Sequence, residues 1–175
     1  MDKFKGESII DFFEKYKTDL DCLEYLSMIK WKDGYKCSKC NHDKFTVRKA
    51  NFARDCNRCH HIESPTANTL FHKVKFGVRK AFGIAFEMSA TTKSISASQI
   101  AKRYSVSRPT AWLFMHKVRK AMKSSESHPM EGTVYVDEYS YRLNRSIHKQ
   151  TIFDNLINRM VRSQHIDYQQ IKISN

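Results

Sequence analysis

Two cysteine pairs, Cys37-Ser-Lys-Cys40 and Cys56-Asn-Arg-Cys59, constrain this chain more than any other feature. They form C-x2-C-x15-C-x2-C, the spacing of a four-thiolate zinc site. Each C-x2-C turn places two sulfurs on one side of a tight knuckle, and two knuckles complete a tetrahedron around Zn²⁺. Asn41 follows the first knuckle and suits the left-handed backbone often needed there. Lys44–Arg48 and Asn51–Arg54 are expected to be strands of a zinc ribbon over residues 35–63, decorated with basic side chains. Four thiolates close the coordination shell, so the expected zinc is structural and activates no water. Cys56-x-x-Cys59-His60 also matches c-type haem attachment, but that chemistry normally requires export and would leave Cys37 and Cys40 unexplained. His42, His60 and His61 are read as surface or DNA-facing side chains.

The compartment expected from the chain agrees with metal rather than disulfides. Ile9-Ile10 and Phe12-Phe13 are split by Asp11, with Glu7 and Glu14 close by, so no signal peptide is recognisable. No apolar run approaches the ~20 residues of a membrane span. A cytoplasmic, nucleoid-associated protein with no membrane partner is expected, and reducing conditions there keep thiols free for metal.

The net charge of +13 is unevenly spread. Residues 72–123 carry twelve Lys/Arg against the single Glu87, while 124–138 are net acidic. Such a block is the footprint of a polyanion-binding surface, and its bland alternative is a solvated helical face. The block coincides with a helix-turn-helix pattern over Ser96–Trp112. Ile100-Ala101 gives the first helix its apolar face, Tyr104-Ser105-Val106 makes the turn, and Ser107 caps the second helix with Pro109 in its first turn. Ala111, Trp112, Met115 and Val118 are expected to pack inward. Arg108, Thr110 and Ser107 then stand at the end of a recognition helix that meets base edges. Lys117, Arg119, Lys120 and Lys123 would run along phosphates, and Lys102 and Arg103 complete the expected DNA-binding set.

Elsewhere the pattern is helical. Ser8–Ile29 reads as two short helices, the second opened by the capping box Thr18-Asp-Leu-Asp21, with Cys22 as a small core hydrophobe beside Leu20, Leu23, Leu26 and Ile29. Lys32-Asp-Gly34 is a turn, and Phe76–Met88 is an amphipathic helix. Lys123–Pro129 looks like a linker, and Thr133–Tyr141, TVYVDEYSY, like a strand that ends on Asp137. Ile152, Phe153, Leu156, Ile157, Met160 and Val161 predict a tail helix within 147–164.

The order of these features resembles the zinc-ribbon transposases of bacterial insertion sequences. The residues that carry the likeness are the two Cys pairs, Ser64-Pro-Thr-Ala-Asn-Thr-Leu-Phe-His-Lys73, Ile95–Ala101 with Thr110-Ala-Trp112, and Gly132-Thr-Val-Tyr-Val-Asp-Glu138. Asn68 stands where glycine is more usual. The resemblance implies binding of double-stranded DNA at an element's terminal inverted repeats and a DDE-type, RNase H-like catalytic domain using Mg²⁺. It also makes Asp137 the match to the first catalytic aspartate. Two-metal chemistry needs several carboxylates, and only Asp154 and Asp167 follow Glu138.

The expected fold is therefore mainly α with a small β zinc ribbon, followed by the start of a truncated RNase H-like α/β domain. Its segments are N-terminal helices plus ribbon (1–72), helix-turn-helix (73–123), linker (124–131) and the catalytic start with a divergent tail (132–175). The function expected is a transposase-derived DNA-binding protein, truncated and inactive alone, with double-stranded DNA, a second copy of the chain or an intact transposase copy as its expected partners. Two alternatives are an active transposase completed by another chain or downstream segment, and a zinc-ribbon/helix-turn-helix regulator.

Overall fold

The computed structural model describes residues 8–90, 94–122 and 152–166. The strand expected at Thr133–Tyr141 with Asp137, and the linker before it, lie outside the described residues. The described elements are α1 (Ile9–Lys15), α2 (Asp19–Lys30), β1 (Phe45–Arg48), β2 (Ala53–Cys56), β3 (Ile62–Glu63), α3 (Val78–Ala90), α4 (Ala97–Tyr104), α5 (Arg108–Met122) and α6 (Ile152–Arg162).

Local chemistry sets the helix starts. The Ser8 hydroxyl accepts from the Ile10 N–H at 3.2 Å, opening α1. At α2 the capping box is complete: Asp21 N–H donates to Thr18 Oγ1, and Thr18 N–H donates to Asp21 Oδ2 at 2.7 Å. The bond from the Thr18 backbone holds the Asp21 carboxyl below its ordinary range. Ser96 and Gln99 form the same box at α4. That helix closes on Ser105, whose left-handed φ of 51° turns the chain toward α5.

The helices bury one continuous apolar core. Phe12 stacks on Phe86 with centroids 4.3 Å apart, and Phe153 packs edge-on to Phe12 at 4.9 Å. Leu26, Phe82, Ile84, Met88, Ile100, Met115, Leu156 and Ile157 fill the remainder. Cys22 is fully buried here, as expected, and burial pushes its thiol up to about 12. Gly83 leaves room on α3 for the side chains of Tyr104 and Phe13. A Cβ there would lie 2.6 Å from Tyr104 Cε1 and 2.9 Å from Phe13 Cζ, so a larger residue would push the helices apart.

The tail helix belongs to this core. All six residues that predicted it, from Ile152 to Val161, are buried against α2, α3 and α5. Tyr25 donates to Asp154 at 2.5 Å, Leu70 N–H donates to Met160 O, and Arg159 Nη1 reaches the last carbonyls of α5, Ala121 and Met122. Those carbonyls have no partner within their own helix, so α6 caps α5 as well as packing on it.

The three strands form one antiparallel sheet in the order β1-β2-β3. Its second strand runs Ala53–Cys56, two residues later than the sequence pattern suggests. The reason is the turn: Phe52 takes a left-handed φ of 53°, its N–H returns to Arg48 O, and Asn51 Oδ1 accepts from Ala53 N–H. The short β3 strand follows from pairing with β2, which no local pattern announces.

Candidate metal centre and basic surface

The two knuckles are near copies of one another. In the first, Asn41 N–H bonds Cys37 O and Cys37 N–H bonds His42 O, both at 2.9 Å. In the second, His60 N–H bonds Cys56 O at 2.9 Å and Cys56 N–H bonds His61 O at 3.0 Å. The residue after each pair is left-handed, Asn41 at φ 57° and His60 at φ 53°. The expectation for Asn41 holds, and the sequence reading missed its counterpart because histidine signals that conformation less strongly.

The four sulfurs of Cys37, Cys40, Cys56 and Cys59 all lie within 4.8 Å of one another. Across the knuckles, Cys37 Sγ is 3.5 Å from Cys59 Sγ, and Cys40 Sγ is 3.5 Å from Cys56 Sγ. Four ligands at the usual zinc–sulfur distance of about 2.3 Å around a tetrahedron would be about 3.8 Å apart. The donor set therefore fits zinc, and all four thiols are free. Burial pushes the Cys37 thiol up, but the N–H groups of Lys39 and Cys40 outweigh it and bring the group down to about 6. Cys56 is lowered as well, by the N–H groups of Cys59 and Arg58 against its burial. Four sulfurs this close repel as thiolates, so a cation is what lets them share the space. Bound zinc would tie the two knuckles together, and with four sulfurs it would have no open position for water. His42, which sits 3.8 Å from the Asp43 carboxylate, and His60 and His61 stand outside the ligand group.

Two cations that the sequence reading did not single out fix the ribbon to the helical body. Lys30, in the last turn of α2, gives its ammonium to Glu63 Oε1 at 2.8 Å, Ser64 O at 2.9 Å and Ala67 O at 2.8 Å. Burial lowers the Lys30 pKa, and the Glu63 carboxylate counters it. The Arg54 guanidinium lies over the rings of Phe45, Trp31 and Tyr35, at 4.0, 4.4 and 5.6 Å from their centroids. Trp31 and Tyr35 are buried beside Cys37 and Cys56, so this aromatic group is the ribbon's own small core. A lysine and an arginine surrounded by aromatics are the only sequence hints, and neither reveals its distant partner.

The predicted DNA-facing residues divide by environment. Lys102, Arg108 and Lys120 are exposed, and Arg119 is half-buried. Arg103 is exposed but bonded at 2.6 Å to Glu87, which also accepts from the Tyr104 hydroxyl at 3.1 Å. Glu87 itself is buried at 7% exposure, so the lone acid of the basic block is spent between α3 and α4. Ser107 caps α5 through Thr110 N–H, and the Ser107 and Thr110 hydroxyls bond each other at 2.7 Å. Lys117 departs from the expected solvated row, because the 3.6-residue period brings it to the core side, where it is 7% exposed. Trp112 packs against the core as expected but stays half-buried, and its ring lies 4.1 Å from the His116 ring.

Residues 17–62 match the transposase zinc-ribbon domain. The matched stretch begins just before the Thr18 cap, so the transposase ribbon includes α2 as well as the cysteines and strands. That extent agrees with Lys30, Trp31 and Arg54 joining α2 to the sheet. No curated protein and no solved structure matches the chain. Among the described residues, no helix is long and apolar enough to cross a membrane.

Proposed function

We propose that this is a transposase-derived DNA-binding protein whose zinc ribbon is structural and whose α4 and α5 form a helix-turn-helix. In this reading α5 enters the major groove of double-stranded DNA at an element's terminal inverted repeats. Lys102, Arg108, Arg119 and Lys120 meet phosphates, Arg103 is oriented by Glu87, and Ser107 shapes the start of α5. The observation that carries the proposal is the charge of this unit. Residues 94–122 contain no Asp or Glu, and the nearest acid in the basic block is the buried Glu87. A solvated helical face gains from acids interspersed with bases, whereas a phosphate-binding face excludes them.

Fluorescence anisotropy with labelled duplexes tests this directly. The zinc-loaded chain should bind a terminal-repeat duplex at least ~10³-fold more tightly than random sequence of equal length. Equal binding of both would remove repeat recognition, and no binding of either would remove the DNA reading altogether.

A further inference from the structure

We propose that Trp112 and His116 are the base-reading pair of α5, contacting base edges in the major groove while Arg108, Arg119 and Lys120 hold the flanking phosphates. This rests on the reading of α4 and α5 as a DNA-binding unit, and it changes which side chains do the reading.

The argument begins with helix geometry. Ala111, Phe114, Met115, Val118, Ala121 and Met122 are buried and define the core side of α5. The 3.6-residue period sends Arg108, Trp112, His116 and Arg119 along the opposite stripe, with Lys120 at its edge. Arg108 and Lys120 are exposed and Trp112, His116 and Arg119 half-buried, so the aromatic pair lies between Arg119 and Lys120 on the outer side of α5, with part of Trp112 packed on the core. Thr110, the side chain expected to read bases, is on the flank of the core side. It is half-buried, and its hydroxyl already bonds Ser107.

Chemistry then selects the occupant. Phosphates alone would call only for cations, and a solvated face alone would not place a tryptophan at its middle. An indole on such a face gains by further burial of its large apolar surface. In the major groove it would meet the 5-methyl of thymine, the apolar feature that distinguishes that base. Burial, with a smaller effect from Arg119, lowers the His116 pKa below its ordinary value. That shift favours the neutral imidazole, which offers one N–H donor and one ring-nitrogen acceptor to a base edge. With no carboxylate in residues 94–122, a polyanion approaching this stripe meets no opposing charge from α4 or α5.

The test uses the zinc-loaded full chain and a duplex selected from a random pool. Affinity for the selected and a scrambled duplex is measured for wild type, Trp112→Phe, His116→Gln and Lys120→Ala. His116→Gln should lower the selected-to-scrambled affinity ratio about tenfold, and Trp112→Phe, whose smaller ring keeps part of the apolar contact, by less, with scrambled affinity and salt slope unchanged in both. Lys120→Ala should weaken both duplexes alike and flatten the salt slope by about one. Tryptophan fluorescence should change on binding the selected duplex, and that change should vanish in Trp112→Phe. Both are conservative replacements, and unchanged melting of the variants verifies their fold. Wild-type ratios in both variants would overturn the assignment while leaving DNA binding intact. Absence of any duplex binding by wild type would instead sink the parent reading, and a preference for RNA over the selected duplex would overturn this one.

Discussion

The ribbon and the helical body reach order by different means. The body buries phenylalanines from four helices in one core, with Phe153 packed against Phe12, Phe82 and Phe86. The ribbon has three short strands and buries only Trp31, Tyr35, Cys37 and Cys56 as its own cluster. So small a core cannot offset the entropy of ordering the chain, and a metal held by the four sulfurs would supply the missing stability. The contrast is between a fold that a bound ligand would complete and one that packing completes. Lys30 and Arg54 are the seam between them.

Removing the metal is the largest way to separate the two regions. Structural zinc contributes about 10–16 kcal/mol of binding free energy at neutral pH in small domains. Chelation, or Cys56→Ser, should therefore unfold β1–β3 while the helical circular dichroism of α3–α6 persists. Hydrogen exchange resolved by region checks this, and simultaneous loss of protection in both regions would break the comparison.

Phe153→Ala is the converse experiment. It removes a ring within 6.0 Å of four other aromatic rings and should destabilise the body by about 3–5 kcal/mol, measured by urea denaturation. Zinc stoichiometry should stay at one per chain under native conditions.

At the seam, Lys30→Ala leaves Glu63 buried and without its ammonium, which should cost about 3 kcal/mol. The replacement Lys30→Met with Glu63→Gln should recover part of that loss, as a double-mutant cycle would reveal.

The smallest effect belongs to the α2 cap. Thr18→Ala should cost about 1 kcal/mol. The Asp21 carboxyl is lowered from its ordinary 3.8 in the folded state, so its contribution is present above that pH and fades as pH falls through the lowered value. Asp21→Asn, which removes the titrating carboxyl, should therefore flatten the acid limb of the thermal-stability profile, and an unchanged limb would show that the cap does not couple to the carboxylate.

What could be read in the sequence was mostly local. The capping box at Thr18, the cap at Ser107 and the Cys37–Cys59 spacing each sit within a few residues or a known spacing, and all are present in the structure. The tail helix was legible from its apolar period, but its burial was not, because nothing in 152–161 names Tyr25 or the end of α5 as partners. Lys30 with Glu63 was invisible for the same reason, being a contact across 33 residues of chain. Lys117 was misplaced for a different reason. Side-chain type was allowed to decide its face, whereas the helical period sent the lysine in. The catalytic reading of Asp137 belongs to residues outside those described.

The most direct test of the central claim is the salt dependence of duplex binding, compared between the wild-type chain and Arg108→Ala. The account predicts a steep fall of affinity with salt, and a slope less steep by about 0.9 when one phosphate-contacting cation is removed. A wild-type affinity that does not change with salt, or an Arg108→Ala slope equal to wild type, would contradict it.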